Sequence, residues 1–87
     1  MTNDEKIDAL LDTLADIEHS RWAKWQRYLH SKATKQPDGA LLIPAELVKR
    51  WERQIETPYH SLSEQEKDSD RDQVREYLPI IKQALRG

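Results

Sequence analysis

Two short stretches of this sequence gather the residue types that bind flat, charged molecules. Glu18, His19, Arg21, Trp22 and Trp25 fall close together, and Tyr59, Lys67, Asp70 and Arg71 form a second set further on. A guanidinium fork or an ammonium point charge matches an anionic oxygen. An indole or phenol ring offers an apolar face with a polar tip. Together such groups suit a ligand that joins a planar ring to an anion. Chemistry beyond binding finds little support. The chain has no Cys, which removes disulfides and thiolate ligands. His19, His30 and His60 lack metal-ligand spacing with each other or with acids. Ser31, Ser61 and Ser63 sit in no nucleophile motif, and two glycines make no phosphate loop. The expectation is a non-enzymatic protein without cofactor or metal.

Three helices are expected to position these residues. Ile7, Leu10, Leu11, Leu14, Ile17, Trp22, Trp25, Tyr28 and Leu29 repeat at helical spacing. They predict one long helix over residues 4–31, capped by Thr2 or Asn3. Pro37-Asp38-Gly39 is a turn signal, and Ala40–Ile43 reads as a short extended piece. Pro44 suits the first position of a second helix, with Leu47, Val48, Trp51 and Ile55 on one side. Thr57-Pro58 ends it, because the residue before Pro avoids the helical region. Ser63 and Glu66 match a capping box, so a third helix starts near Glu64. Val74, Tyr77 and Leu78 form its apolar side, and Pro79 should kink or restart it. The fold class is all-α: a small bundle of a long N-terminal helix, a middle helix and a Pro-kinked C-terminal helix, in one domain spanning 1–87.

At about 100° per residue, Glu18 and Arg21 fall inside the apolar arc of the first helix, and His19 falls outside it. On the third helix Lys67 and Asp70 fall inside the arc, with Arg71 at its edge. Charges so placed need partners. One reading is a salt-bridge network tying the helices, Glu18 to Lys67 or Arg71 and Arg21 to Asp70. The other is a polar pocket walled by Trp22, Trp25 and Trp51 or Tyr59, where Arg21, Lys67 and Arg71 meet an anion. Both readings stay open on the sequence.

The net charge of −2 covers an uneven distribution. Residues 1–20 hold six acids and one base, and residues 21–35 hold five bases and no acid. On one helix that order complements the macrodipole; it also makes a local basic patch. Arg21, Lys24 and Arg27 interleave with Trp22, Trp25 and Tyr28, a mixture used on single-stranded nucleic acid. The acidic whole and the apolar placement of the Trp residues argue against that partner. No basic start precedes an apolar run, and no stretch approaches the roughly 20 apolar residues of a membrane span. A cytoplasmic location without membrane contact is expected.

His19-Ser20-Arg21-Trp22, followed by Tyr59 and then Leu62-Ser63-Glu64-Gln65-Glu66-Lys67 with Asp68, Asp70 and Arg71, resembles the ryanodine-receptor repeat (RyR) domain. That family shows an H-x-x-W element on a first helix and an aromatic residue before L-x-E-x-E-K. The likeness covers roughly residues 13–78. Ser31 stands near the point where the receptor repeats carry a second Trp, and Glu56-Thr57-Pro58 replaces their His-Pro. The resemblance implies a helical module without catalysis, of the stand-alone bacterial or phage type, that senses or sequesters a nucleotide-like small molecule. It carries His19, Trp22, Tyr59, Leu62, Glu66, Lys67 and Arg71 over as family positions. The rival expectation is a protein-interaction domain that docks a partner or a second copy through a helical face. A homodimer is expected from Ile7, Leu10, Leu11 and Leu14, which precede the family core.

Overall fold

The computed structural model describes all residues, 1–87, and the chain is mostly helical. Helix α1 spans Asn3–Asp8, α2 Leu11–Lys32, α3 Ala45–Glu56 and α4 Glu64–Arg86. Strands β1 (Thr34–Lys35) and β2 (Leu41–Leu42) pair antiparallel, Thr34 opposite Leu42 and Lys35 opposite Leu41. A single 3₁₀ turn, Tyr59–Ser61, joins α3 to α4.

Local signals set most of these boundaries. Thr2 closes a capping box with Glu5 at the start of α1. Ser63 closes another with Glu66 at the start of α4, each satisfying amides that lack a partner inside the helix. The β1–β2 loop turns at Gly39, whose φ of 92° lies where side chains are disfavoured. The Asp38 carboxylate accepts from the Ala40 amide at 2.9 Å and fixes that turn. The extended piece is where the sequence puts it, but its partner strand at Thr34–Lys35 carries no alternation that would announce it.

Three expectations need correction. The long first helix is interrupted: Leu10 adopts φ −86°, ψ 0° and its amide bonds the Ile7 carbonyl at 2.9 Å, a tightened turn between α1 and α2. Nothing in Ala9 or Leu10 as residue types explains the break. Pro44 stands one place ahead of α3 as its N-cap, its carbonyl accepting from the Leu47 and Val48 amides. Of the two outcomes expected at Pro79, the restart is overturned, since α4 runs unbroken to Arg86.

α4 is the spine. α1 packs on its C-terminal end and α2 alongside it. Lys6 and Ala9 share a hollow with Ala84 and Gly87, and Tyr77 meets Glu18 further along, so α2 and α4 run antiparallel. The half-buried apolar side chains Leu10, Leu14 and Ile17 on one side and Ile80, Ile81 and Ala84 on the other form the contact layer. No residue is fully buried. The apolar arc of α2 is therefore real but only partly covered, and Trp22, expected in the core, is 55% exposed.

Candidate functional site

The structure sorts the nine candidate residues into two groups on different elements. The first lies where α2 meets α4. Arg21 Nε donates to both Glu18 carboxylate oxygens, at 3.0 and 3.1 Å, and Nη2 donates to one of them as well. The Tyr77 hydroxyl donates to the same carboxylate from α4. The Arg21 bond, then the Tyr77 bond, hold the Glu18 carboxyl down at about 2. The Arg21 guanidinium is raised by Glu18, and so is the Tyr77 phenol, which gives its proton to that anion. Beside them, Trp22 stacks on His19 with ring centres 5.9 Å apart. Trp25 turns instead toward Tyr28 and, edge to face, toward Trp51 of α3 at 5.5 Å.

The second group lies on the first three turns of α4 and the 3₁₀ turn before it. Arg71 Nη1 donates to Asp68 at 2.7 Å and to Glu64 at 3.2 Å. Lys67 Nζ reaches Glu64 at 3.4 Å and stands 5.8 Å from the centre of the Tyr59 ring. Arg71 and then Lys67 lower the Glu64 carboxyl, and Asp68 followed by Glu64 raise the Arg71 guanidinium. Tyr59, Asp70, Arg71, Val74, Arg75 and Leu78 line a groove of about 430 Å³ along this side of α4. Its wall mixes a phenol face, two aliphatic side chains, two guanidinium groups and the Asp70 carboxylate.

The expected network between helices is not formed. Glu18 bonds Arg21 and Tyr77 rather than Lys67 or Arg71, and Arg21 bonds Glu18 rather than Asp70. Lys67 and Arg71 find carboxylates one or two turns away on their own helix. The reason is geometric: an i,i+3 or i,i+4 neighbour is within reach without tertiary constraint. Of the expected pocket walls, Trp25 and Trp51 meet edge to face, while Trp22 stacks on His19.

Glu66, a position the family resemblance carries over, has a structural task. It accepts from the Ser63 hydroxyl at 2.9 Å in the capping box and from Gln54 Nε2 at 2.6 Å. Arg53 adds a 3.3 Å contact from α3. Gln54 and then Ser63 bring the Glu66 carboxyl down to about 2. Sequence reasoning missed Gln54, Tyr77 and Arg75. Tyr77 had been placed on the apolar side by its spacing; its hydroxyl, an obligatory polar tip on a half-buried ring, was the signal available.

No helix is long and apolar enough to cross a membrane. No family model, no curated protein and no solved structure matches the chain.

Proposed function

We propose that this chain is a non-enzymatic binding module of the RyR-domain type that holds a nucleotide-like small molecule in the groove along α4. One observation carries the reading: Tyr59, Lys67 and Arg71 converge beside a groove whose remaining wall is Val74, Leu78, Arg75 and Asp70. A ring can lie against the phenol and the aliphatic carbons while its anion meets the bases. Both intrachain bonds of Arg71 use Nη1, which leaves Nε and Nη2 to grip a phosphate side-on. Glu64 and Asp68 then act as positioning groups that hold the fork across the groove mouth.

The test is a melting-temperature screen of wild type against purine and pyrimidine mono-, di- and cyclic nucleotides, repeated on Arg71→Ala. A ligand at 100 times its dissociation constant adds about 2.7 kcal/mol of stability. The expected result is a shift with a subset of nucleotides that disappears in Arg71→Ala while the variant keeps its own helix content. A shift that survives Arg71→Ala places the ligand elsewhere, and no shift with any nucleotide overturns the reading.

A second reading, docking of a protein through a helical face, is favoured by a specific observation. Large apolar side chains stay exposed on several helices, among them Leu11, Trp22, Ile55 and Val74.

A further inference from the structure

The chain is too open for its mass. It exposes 7156 Å², whereas a folded monomer of this size exposes about 5,400 Å². Its radius of gyration is 17.5 Å, against about 12 Å for a compact domain of this length. The excess is about 1,800 Å² per chain, more than the roughly 1,000 Å² per partner that an obligate homodimer covers.

The exposed apolar residues are not scattered. On α2 the half-buried Leu10, Leu14 and Ile17 face α4, and Leu11 and Trp22 lie about a quarter turn onward in the chain's own sense. On α4 the half-buried Gln73, Tyr77, Ile80 and Ala84 face α2, and Val74, Leu78 and Leu85 again lie about a quarter turn onward. For antiparallel helices, equal rotations in the chain's own sense bring both stripes to the same side of the pair. So α2 and α4 share one uncovered apolar face, on which Leu11 is 73% and Val74 50% exposed. The far edge of the face is acidic on α2, with Asp12 and Asp16. On α4 the same edge carries Arg71, Arg75, Lys82 and Arg86 beside Glu64, Asp68 and Asp72; Arg71 and Arg75 are paired with those acids, which leaves Lys82 and Arg86 as the bases outside an ion pair.

We propose that a second copy of this chain covers this face, with α2 of each protomer lying antiparallel over α4 of the other. Two-fold closure uses one patch twice and sets Asp12 and Asp16 of each chain near Lys82 and Arg86 of the other. Glu18 stands level with Tyr77 in the chain, so the same pairing level puts Trp22 over the partner's Val74 and Leu11 over the partner's Leu85. The arrangement is a four-helix contact in which each pair supplies the other's missing layer. It has a consequence for the groove. Val74 and Leu78 line it, so Trp22 of one protomer becomes a wall of the other's groove, opposite Tyr59 and Arg71. Only that consequence rests on the nucleotide reading; the dimer itself does not.

The experiment uses no ligand, so its failure is separable from failure of the nucleotide screen. Light scattering of wild type at high micromolar concentration should give twice the chain mass of 10.3 kDa. Val74→Glu should give the chain mass with unchanged helical circular dichroism. The chain contains no Cys, so single thiols report contacts cleanly. A mixture of Trp22→Cys and Val74→Cys chains, treated with a short bis-maleimide, should yield a covalent dimer that neither variant yields alone. A wild-type monomer overturns the proposal and leaves the face to a different protein; a Val74→Glu dimer overturns it as well. Cross-linking of Trp22→Cys with itself shows α2 lying on α2 and overturns the arrangement.

Discussion

Ser63→Ala and Thr2→Ala remove the same chemical group from two capping boxes, and they should behave differently. At Ser63 the hydroxyl oxygen accepts from the Glu66 amide at 3.1 Å and donates to the Glu66 carboxylate at 2.9 Å. Loss of such a cap costs about 1 kcal/mol, within a range of 0.5–2. For a domain of 60–100 residues, 1 kcal/mol lowers Tm by roughly 4–8 °C. At Thr2 the hydroxyl accepts from the Glu5 amide at 3.1 Å, but it caps a helix of only six residues. Such a helix is marginal by itself, so its loss is largely local fraying and should move the global Tm by about 1 °C or less. The assay is thermal unfolding followed at a helical circular dichroism band, with Ser63→Thr as the control that keeps the acceptor. Equal shifts for the two Ala variants would refute the reasoning, since then either α1 unfolds with the whole chain or the α4 cap does not hold α4.

Trp22→Ala should cost less than the 3–5 kcal/mol of a buried Trp. With 55% of the residue exposed, truncation uncovers roughly 80 Å² within the protomer, or about 2 kcal/mol. Urea unfolding at several protein concentrations checks this; any further loss must shrink on dilution, and a concentration-independent loss above about 4 kcal/mol sinks the placement. Acid should destabilise the fold. The Glu18 and Glu66 carboxyls lie at about 2 in the folded chain, so their contribution is complete above pH 4.5 and is lost as pH falls from 4.5 toward 2. A Tm that stays flat across that window counts against both networks. Tyr77→Phe deletes one donor to Glu18 and should move the Glu18 titration midpoint up toward the ordinary carboxylate range, read by carbon-13 NMR of the carboxyl; an unmoved midpoint means the bond is absent in solution.

Elements announced by short-range chemistry were legible. The Ser63 cap, the first-helix cap at Thr2 or Asn3, the stop at Thr57-Pro58 and the turn at Asp38-Gly39 each depend on residues within three positions of one another. The break at Ala9–Leu10 was not legible, because both residue types favour the helix they interrupt. The pairing of Thr34–Lys35 was hidden because two residues are too few to show a period. For the site, the residue types were right to single out but their partners were not readable. Periodicity fixes which side of α2 carries Glu18 and Trp22. It does not fix the rotation of α4 against α2, which decides that Tyr77 and not Lys67 meets Glu18. Nor does an apolar stripe say what covers it: Trp22 has the spacing of a core residue and an exposed ring.

The three Trp residues also make the molecule its own spectrometer. Trp25 and Trp51 stand edge to face at 5.5 Å, close enough for their excited states to couple, which gives a paired positive and negative band in circular dichroism. That couplet exists only while α3 lies against α2. Trp22 is remote from this pair in role and open to solvent, so its emission should be red-shifted in an isolated chain and move blue when its ring is covered. The couplet thus reports α3 attachment, and Trp22's share of the composite emission reports whatever settles on the face of α2.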